Sequence, residues 1–312
     1  MLGGGSLLFC ACAWIADLPE LSPAPSLDAA LELREDAGAD ADADAVDALE
    51  ASVDAPVDAL TDGGLRCGFG NAFDPNVDEQ SSLNIGGAVT SLQLTADEQV
   101  AAVSTVVPNP IPPKPWVFTL HRQPSGLYDG ERQDVPGAHA ALREDGLALV
   151  VAPSSNGGSL LKEYGRARQE DMFTEVGDID ALRSFFDKHH PYYVGNDILF
   201  LDARKARASD PRRIYRLTRQ DAGDFQFPEP LAGLAEGAST PVPTRDLGGL
   251  YFSICSSRCR AFRAQALGAL RYGAVAELSE LGDFRPTWIS HNGCRLHGTR
   301  AGRPVIAFKL PR

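Results

Sequence analysis

Residues Arg285–Arg312 read RPTWISHNGCRLHGTRAGRPVIAFKLPR. Trp288-Ile289 sits in an extended stretch. His291-Asn292-Gly293 follows as a tight turn, because Asn and Gly tolerate the positive φ that hairpin turns need. Cys294 to Thr299 runs back, Arg300 to Arg303 turns again, and Pro304 to Leu310 closes the unit with alternating apolar residues. Three short strands and two turns are predicted.

The same plan recurs upstream. Aligning the polar turns on Asp97, Asp145, Asn196, Asp246 and Asn292 gives spacings of 48, 51, 50 and 46 residues. Each turn precedes an apolar strand: Val100–Ser104, Leu147–Val151, Ile198–Leu201, Leu250–Ile254 and Cys294–Thr299. A second apolar strand follows each: Trp116–His121, Ser159–Tyr164, Arg213–Thr218, Arg260–Leu267 and Pro304–Leu310. Short strands at this spacing predict an all-β array, a five-bladed β-propeller with six blades as the alternative count. A β-sandwich is the competing architecture. Asp178 to Lys188, DIDALRSFFDK, reads as a short inserted helix capped by Asp178.

Charge divides the chain. The net charge of −13 arises wholly in residues 1–62, which hold 14 acidic residues and one basic one, Arg34; residues 63–312 are balanced. The balanced part has no global field to attract nucleic acid. Residues 1–18 contain the apolar run Leu7–Ile15, too short to span a bilayer and the right length for a signal-peptide core. Cys12 after Ala11 is the lipidation candidate, which would give a membrane tether. Residues 19–66 are built from Asp, Ala, Pro and Val and are expected to be a disordered linker. A calcium loop beginning at Asp40 fails, since Ala45 and Ala51 stand where Gly and Glu are required.

The stretches RPTWISHNGCRLHGTRAGRPVIAFKL and LGGLYFSICSSRCRAFRAQAL resemble the repeat of TolB-like, WD-repeat-like β-propellers. Asp224–Leu234, DFQFPEPLAGL, resembles the connector between repeats in secreted propellers of this kind. CGFGNAFDPNVDEQSSLN, from Cys67, resembles the segment that opens such domains behind an acidic lipoprotein tail. The likeness covers 67–312 and departs from the pattern in lacking Pro at every Asp turn. It implies the propeller fold and an envelope location, in a family that hosts binding scaffolds, though fold does not fix function.

Five such units leave the last blade one strand short. Phe69–Val77 precedes the first unit and is expected to supply the missing strand, closing the ring. Cys67 begins that segment and Cys294 starts the middle strand of the last blade, so a disulfide between them would clip the ring shut. Cys255 and Cys259 flank Ser256-Ser257-Arg258 at a hairpin end and are candidates for a local disulfide. Reduced, buried thiols are the alternative for all four.

No G-x-S-x-G elbow, H-E-x-x-H, P-loop or G-x-G-x-x-G is present. No catalytic residue, metal or cofactor is expected. His291, Cys294 and His297 match no common zinc spacing. His189-His190 cannot both ligate one metal from a regular strand, whose adjacent residues face opposite ways. The expected inner strands are Thr90–Thr95, His139–Arg143, Pro191–Gly195, Thr240–Arg245 and Pro286–Ser290. They contain no Asp or Glu, which argues against a carboxylate-based glycosidase. They offer His139, His190, Tyr192, Tyr193, Arg143, Arg245 and Trp288, a mixture suited to a binding surface. The sequence therefore reads as a monomeric, exported, non-enzymatic scaffold for a protein, peptide or glycan. An envelope hydrolase or lyase using loop residues is the alternative. A His–carboxylate pair or clustered carboxylates at the channel mouth would favour it.

Overall fold

The computed structural model describes residues 66–107, 114–130, 135–152, 160–220 and 223–310. All of them lie in the compact unit Gly63–Arg312. The expected signal segment 1–18, its Cys12, and the linker up to residue 65 lie outside the described residues.

The chain opens with strand β1 (Phe73–Glu79) and then builds blades in order. Blade 1 holds β2 (Ala88–Leu94), β3 (Val100–Val107) and β4 (Lys114–Arg122), with short β5 (Tyr128–Asp129) and β6 (Val135–Pro136) beside β4. Blade 2 holds β7 (His139–Leu142), β8 (Ala148–Ala152), β9 (Lys162–Gly165) and β10 (Thr174–Asp178). Blade 3 holds β11 (Phe186–Val194), β12 (Ile198–Arg204), β13 (Arg213–Thr218) and β14 (Glu229–Pro230). Blade 4 holds β15 (Ala238–Pro243), β16 (Gly249–Cys255), β17 (Cys259–Gly268) and β18 (Arg271–Glu277). Blade 5 holds β19 (Arg285–Ile289), β20 (Arg295–Arg300) and β21 (Arg303–Lys309), and β1 is its outer strand. The inner strands β2, β7, β11, β15 and β19 neighbour one another in turn, and β19 returns to β2. The fold is a closed five-bladed β-propeller.

The repeated turn has a shared chemistry. In blade 1 the Thr95 hydroxyl donates to Asp97 Oδ1 at 2.6 Å and accepts from the Val100 N–H at 3.0 Å. Thr244 and Asp246 repeat this in blade 4, at 2.6 Å between them and 2.8 Å from the Gly249 N–H. Ser290 and Asn292 repeat it in blade 5, at 2.7 Å and with 2.9 Å from the Arg295 N–H. The residue after the acid or amide turns left-handed: Glu98, Gly146, Leu247 and Gly293 all have positive φ. Glycine adopts that conformation freely, and the hydroxyl-to-acid clamp holds Glu98 and Leu247 in it.

Ring closure follows the sequence reading. Val77, Asp78 and Glu79 pair with Ala307, Ile306 and Val305, and Phe73 pairs with Lys309 across an irregularity. The Phe73 side chain is fully buried, which contributes about 2–3 kcal/mol. Upstream of it, Phe69 reaches back to blade 4, its ring centroid 5.1 Å from that of Tyr251. Gly249 makes the space, since a Cβ there would stand 2.3 Å from the Phe69 ring. Disulfides join Cys67 to Cys294 and Cys255 to Cys259.

One expectation fails. Residues 178–188 form no helix. Strand β10 ends at Asp178, a single 3₁₀ turn covers Asp180–Leu182, and β11 has begun by Phe186. Leu182 and Phe185 are fully buried in the core shared by blades 2 and 3, and tertiary burial overrides a helix too short to stand alone. The same turn recurs at Ser81–Leu83 and Ser279–Leu281. Leu83, Leu182 and Leu281 are each wholly buried. The segment is thus a standard connector.

Candidate functional site

The inner strands end around one mouth of the channel and begin around the other. At the first, Leu94, Leu142, Val194, Pro243 and Ile289 converge with Gln93, Tyr192 and Trp288 to leave a cavity of only ≈ 30 Å³, room for about one water. Tyr192 and Trp288 are buried plugs. Polar groups at the rim are spent on holding neighbours. Glu144 Oε1 accepts the Gly195 N–H at 2.9 Å, bridging blades 2 and 3. Arg245 lies against the His291 ring, with Nη1 2.6 Å from Nδ1. Burial, and then the Arg245 charge, lower the His291 pKa.

The second mouth is open, with ≈ 460 Å³ lined by His189, His190, Asp202, Arg212 and Arg285 among others. Its geometry comes from broken backbone. Strand β11 is irregular on both sides of His189, between Phe186 and His189 and again between His189 and Tyr192. Asp187 and His190 both have positive φ, 46° and 45°. In blade 4, Thr240 has φ 50° at the matching irregularity of β15. Such non-glycine conformations cost on the order of 1–3 kcal/mol each and cluster where a site needs an unusual side-chain direction.

The bulges bring both histidines to one side. His189 is the cross-strand partner of Asp202, so the two share a face. His190 would face away in a regular strand, yet its Nδ1 lies 2.7 Å from Asp202 Oδ1. The expectation that His189 and His190 cannot serve one ion is therefore corrected: it assumed regular pleating, and this strand is not regular. His139, the first residue of β7, completes the group. Its ring centroid lies 4.1 Å from that of His190 and 5.1 Å from that of His189. His190 Nε2 and His139 Nδ1 are buried and have no hydrogen-bond partner. Among the described residues, His189, His190 and Asp202 are the one cluster able to hold a metal ion, with a ligand atom of each within 4.8 Å of the others.

Asp202 is the hub. It is completely buried. Its Oδ1 also accepts the Thr240 N–H at 3.1 Å, and its Oδ2 accepts Arg212 Nη1 at 2.5 Å. Burial alone would raise its pKa, but His190 and then Arg212 outweigh it and hold the carboxyl well below the usual range. Asp187 extends the network, 2.9 Å from Arg204 Nε and 3.7 Å from Arg212 Nη2. Burial pushes the His189 pKa down to about 4 and that of His139 well below its ordinary value, so both imidazoles are neutral at pH 7.

The expectation of inner strands free of carboxylates is corrected as well. Strand β11 starts five residues before Pro191 and carries Asp187, while Asp202 reaches the mouth from the middle strand. The inner-strand polar residues expected to form one surface divide between the two mouths. His139 and His190 face the open one, whereas Tyr192, Tyr193, Arg245 and Trp288 line the plugged one. Arg143 instead pairs with Asp145 in its own turn, at 2.8 Å. His291, Cys294 and His297 are not brought together: His291 meets Arg245, Cys294 is in the disulfide, and His297 is buried against Trp288. A usable signal for the bulges was proline, which sits in strands at bulges and edges. His190-Pro191 and Thr240-Pro241 both place a left-handed residue before Pro.

No protein-family model and no curated protein matches the sequence. Among solved structures, the chain is similar to TolB from Acinetobacter baumannii, at 14% identity over 72% of this chain and 55% of that one, with a TM-score of 0.44. This chain thus spans about half the length of that TolB. It is also similar to a putative TolB from Agrobacterium tumefaciens, at 14% identity over 71% of this chain and 74% of that one, with a TM-score of 0.43. A gluconolactonase from Xanthomonas campestris matches at 13% identity over 72% of this chain and 87% of that one, again with a TM-score of 0.43. The five sheets themselves establish the propeller, and nothing further is drawn from these likenesses.

Proposed function

We propose that this propeller is an exported, non-enzymatic scaffold that binds a protein, peptide or glycan through its open mouth. The observation that carries this reading is the asymmetry of the channel. One end is plugged by Tyr192 and Trp288, while the other presents ≈ 460 Å³ ringed by histidine, arginine and carboxylate groups on strained backbone. Two disulfides support export, since such bonds persist in oxidising compartments. An envelope tether through Cys12 belongs to the same reading.

The test is capture from envelope extracts by the full-length chain. Glu236→Arg, at the open rim, should reduce capture at least tenfold, and His291→Arg at the plugged end should leave it intact. Equal loss from both variants would show that the open mouth is not the binding face.

A second reading, an envelope hydrolase or lyase, is favoured by one observation, the His190–Asp202 pair at 2.7 Å. Among the described residues no hydroxyl or thiol is hydrogen-bonded to His190 Nε2, the contact a serine-hydrolase nucleophile makes. Turnover of chromogenic ester, phosphate or glycoside substrates that disappears in His190→Gln would overturn the non-enzymatic reading.

A further inference from the structure

We infer that the open mouth binds a divalent transition-metal ion of the zinc class through His189, His190 and Asp202. The inference goes beyond the scaffold reading and does not depend on which partner is bound.

Three independent observations converge. First, these residues place a ligand atom each within 4.8 Å of one another, a span that closes onto one ion at ordinary metal–ligand distances of about 2.0–2.2 Å with small side-chain movement. Second, the donor set is chemically selective. Two imidazoles and a carboxylate suit zinc, iron, nickel or copper, whereas calcium and magnesium favour all-oxygen sites. Third, polar groups in the cluster lack protein partners. His190 Nε2 and His139 Nδ1 are buried with no hydrogen bond, which is uncommon for buried nitrogen and calls for an ion or water.

The supporting structure is that of a held site. Asp202 is fixed from two blades, by Arg212 of blade 3 and the Thr240 N–H of blade 4. Left-handed backbone at Asp187, His190 and Thr240 surrounds the cluster, and it is this backbone that turns two adjacent histidines to one side. Ligands on the protein account for one side of the ion, and the ≈ 460 Å³ mouth leaves its remaining positions to water or a bound molecule. His139 closes the inner side, its ring beside that of His190.

The experiment strips the full-length chain with chelator and titrates it with Zn²⁺, using Co²⁺ as a spectroscopic probe. One ion per chain is expected, with visible Co²⁺ bands of a site containing imidazole. His189→Ala, which leaves the Asp202 network intact, should weaken Zn²⁺ binding at least 100-fold. Asp202→Asn, which takes the charge from the oxygen ligand, should weaken it at least tenfold. His291→Ala at the other mouth should change nothing. Zn²⁺ uptake that survives His189→Ala and His190→Gln unchanged would place the ion elsewhere, for instance on the acidic residues before Asp62, and would overturn the inference. So would the absence of uptake by the wild-type chain, verified as folded by circular dichroism. Partner capture by a wild-type chain that takes up no Zn²⁺ would leave the scaffold reading standing while the metal site fell.

Discussion

The two mouths of this propeller are made from the same five strands and differ in almost every other respect. Where the inner strands end, backbone is regular and the channel is filled by Tyr192, Trp288 and Leu142. Where they begin, four of the five carry a register irregularity: after Val89, around His189, after Ser239 and after Pro286. Each mouth also has a disulfide. Cys67–Cys294, spanning 227 residues, ties the first chain segment to the turn beside His291 at the plugged end. Cys255–Cys259, spanning 4, sits beside Arg285 on the open rim. The difference teaches a division of labour: one end holds the ring together, and the breaks in strand register gather at the end that offers unsatisfied ligands.

The largest effect should come from the closing disulfide. Loop-entropy arguments give roughly 5 kcal/mol for a loop of over 200 residues and roughly 2 for a loop of 5. Cys67→Ser with Cys294→Ser should therefore lower the denaturant midpoint much more than Cys255→Ser with Cys259→Ser. Equal midpoints would break the comparison, showing that the plugged end does not carry closure.

Next in size is the hub of the open mouth. Asp202→Ala strands the His190 and Arg212 groups that it now satisfies inside the protein. Removing one partner of a buried ion pair costs about 3–5 kcal/mol. Urea unfolding of the variant would measure this, and a loss below about 1 kcal/mol would show that the network is solvated and the mouth less rigid than its geometry indicates.

A third test uses acid. His297 is fully buried at the back of Trp288, with neither ring nitrogen hydrogen-bonded, and burial lowers its pKa to about 3. The unfolded chain has the ordinary value near 6.5 and binds the proton first. Stability from this group is thus complete above about pH 6.5 and is lost as pH falls toward 3. His297→Leu should make the acid limb of the stability curve shallower. An unchanged limb would mean that the acid response lies elsewhere, with His139 at the open mouth as the next group to substitute.

How far the sequence reached depends on what each region asks of its residues. Blade count, strand positions, N-terminal closure and the cysteines that pair were legible because hydrophobic alternation and Asp turns repeat at fixed spacing, and closure follows from counting edges. The plugged mouth was not, since Tyr192 and Trp288 were expected to share one binding surface with His139 and His190. Nor was the open mouth, because its chemistry comes from departures from regular pleating. Reading 178–188 as a helix hid the first three residues of β11, Asp187 among them, and the bulge that leads to His189. Asp202 fell just beyond the expected strand Ile198–Leu201, and nothing local says that the fifth residue of the true strand will meet a histidine from a left-handed neighbour. The repeated Leu83, Leu182 and Leu281 connectors, 99 residues apart each time, would have exposed the error, because a helix cannot stand where two sister blades use a single turn.

The smallest expected effect bears on the plugged rim, where polar residues look as functional as those opposite. Arg245 Nε lies 3.5 Å from Glu144 Oε2, with the arginine side chain more than half exposed. Exposed pairs of this kind contribute about 0.2–1 kcal/mol, because solvent screens the charges and two long side chains lose freedom in meeting. Arg245→Ala should therefore shift the unfolding free energy by less than about 1 kcal/mol, and Glu144→Gln should do little more, since its amide oxygen can still accept the Gly195 N–H. The contrast with Asp202→Ala is the sharpest form of the comparison. Both mouths display a carboxylate with a basic partner, and only burial and the number of bonds on the carboxylate separate them. A double-mutant cycle between Glu144 and Arg245 should give a coupling energy near zero in 0.5 M salt, where the Debye length is under about 5 Å. A coupling of several kcal/mol that resists salt would mean that this end is also an organised site, and the division between a structural and a ligand-bearing mouth would have to be given up.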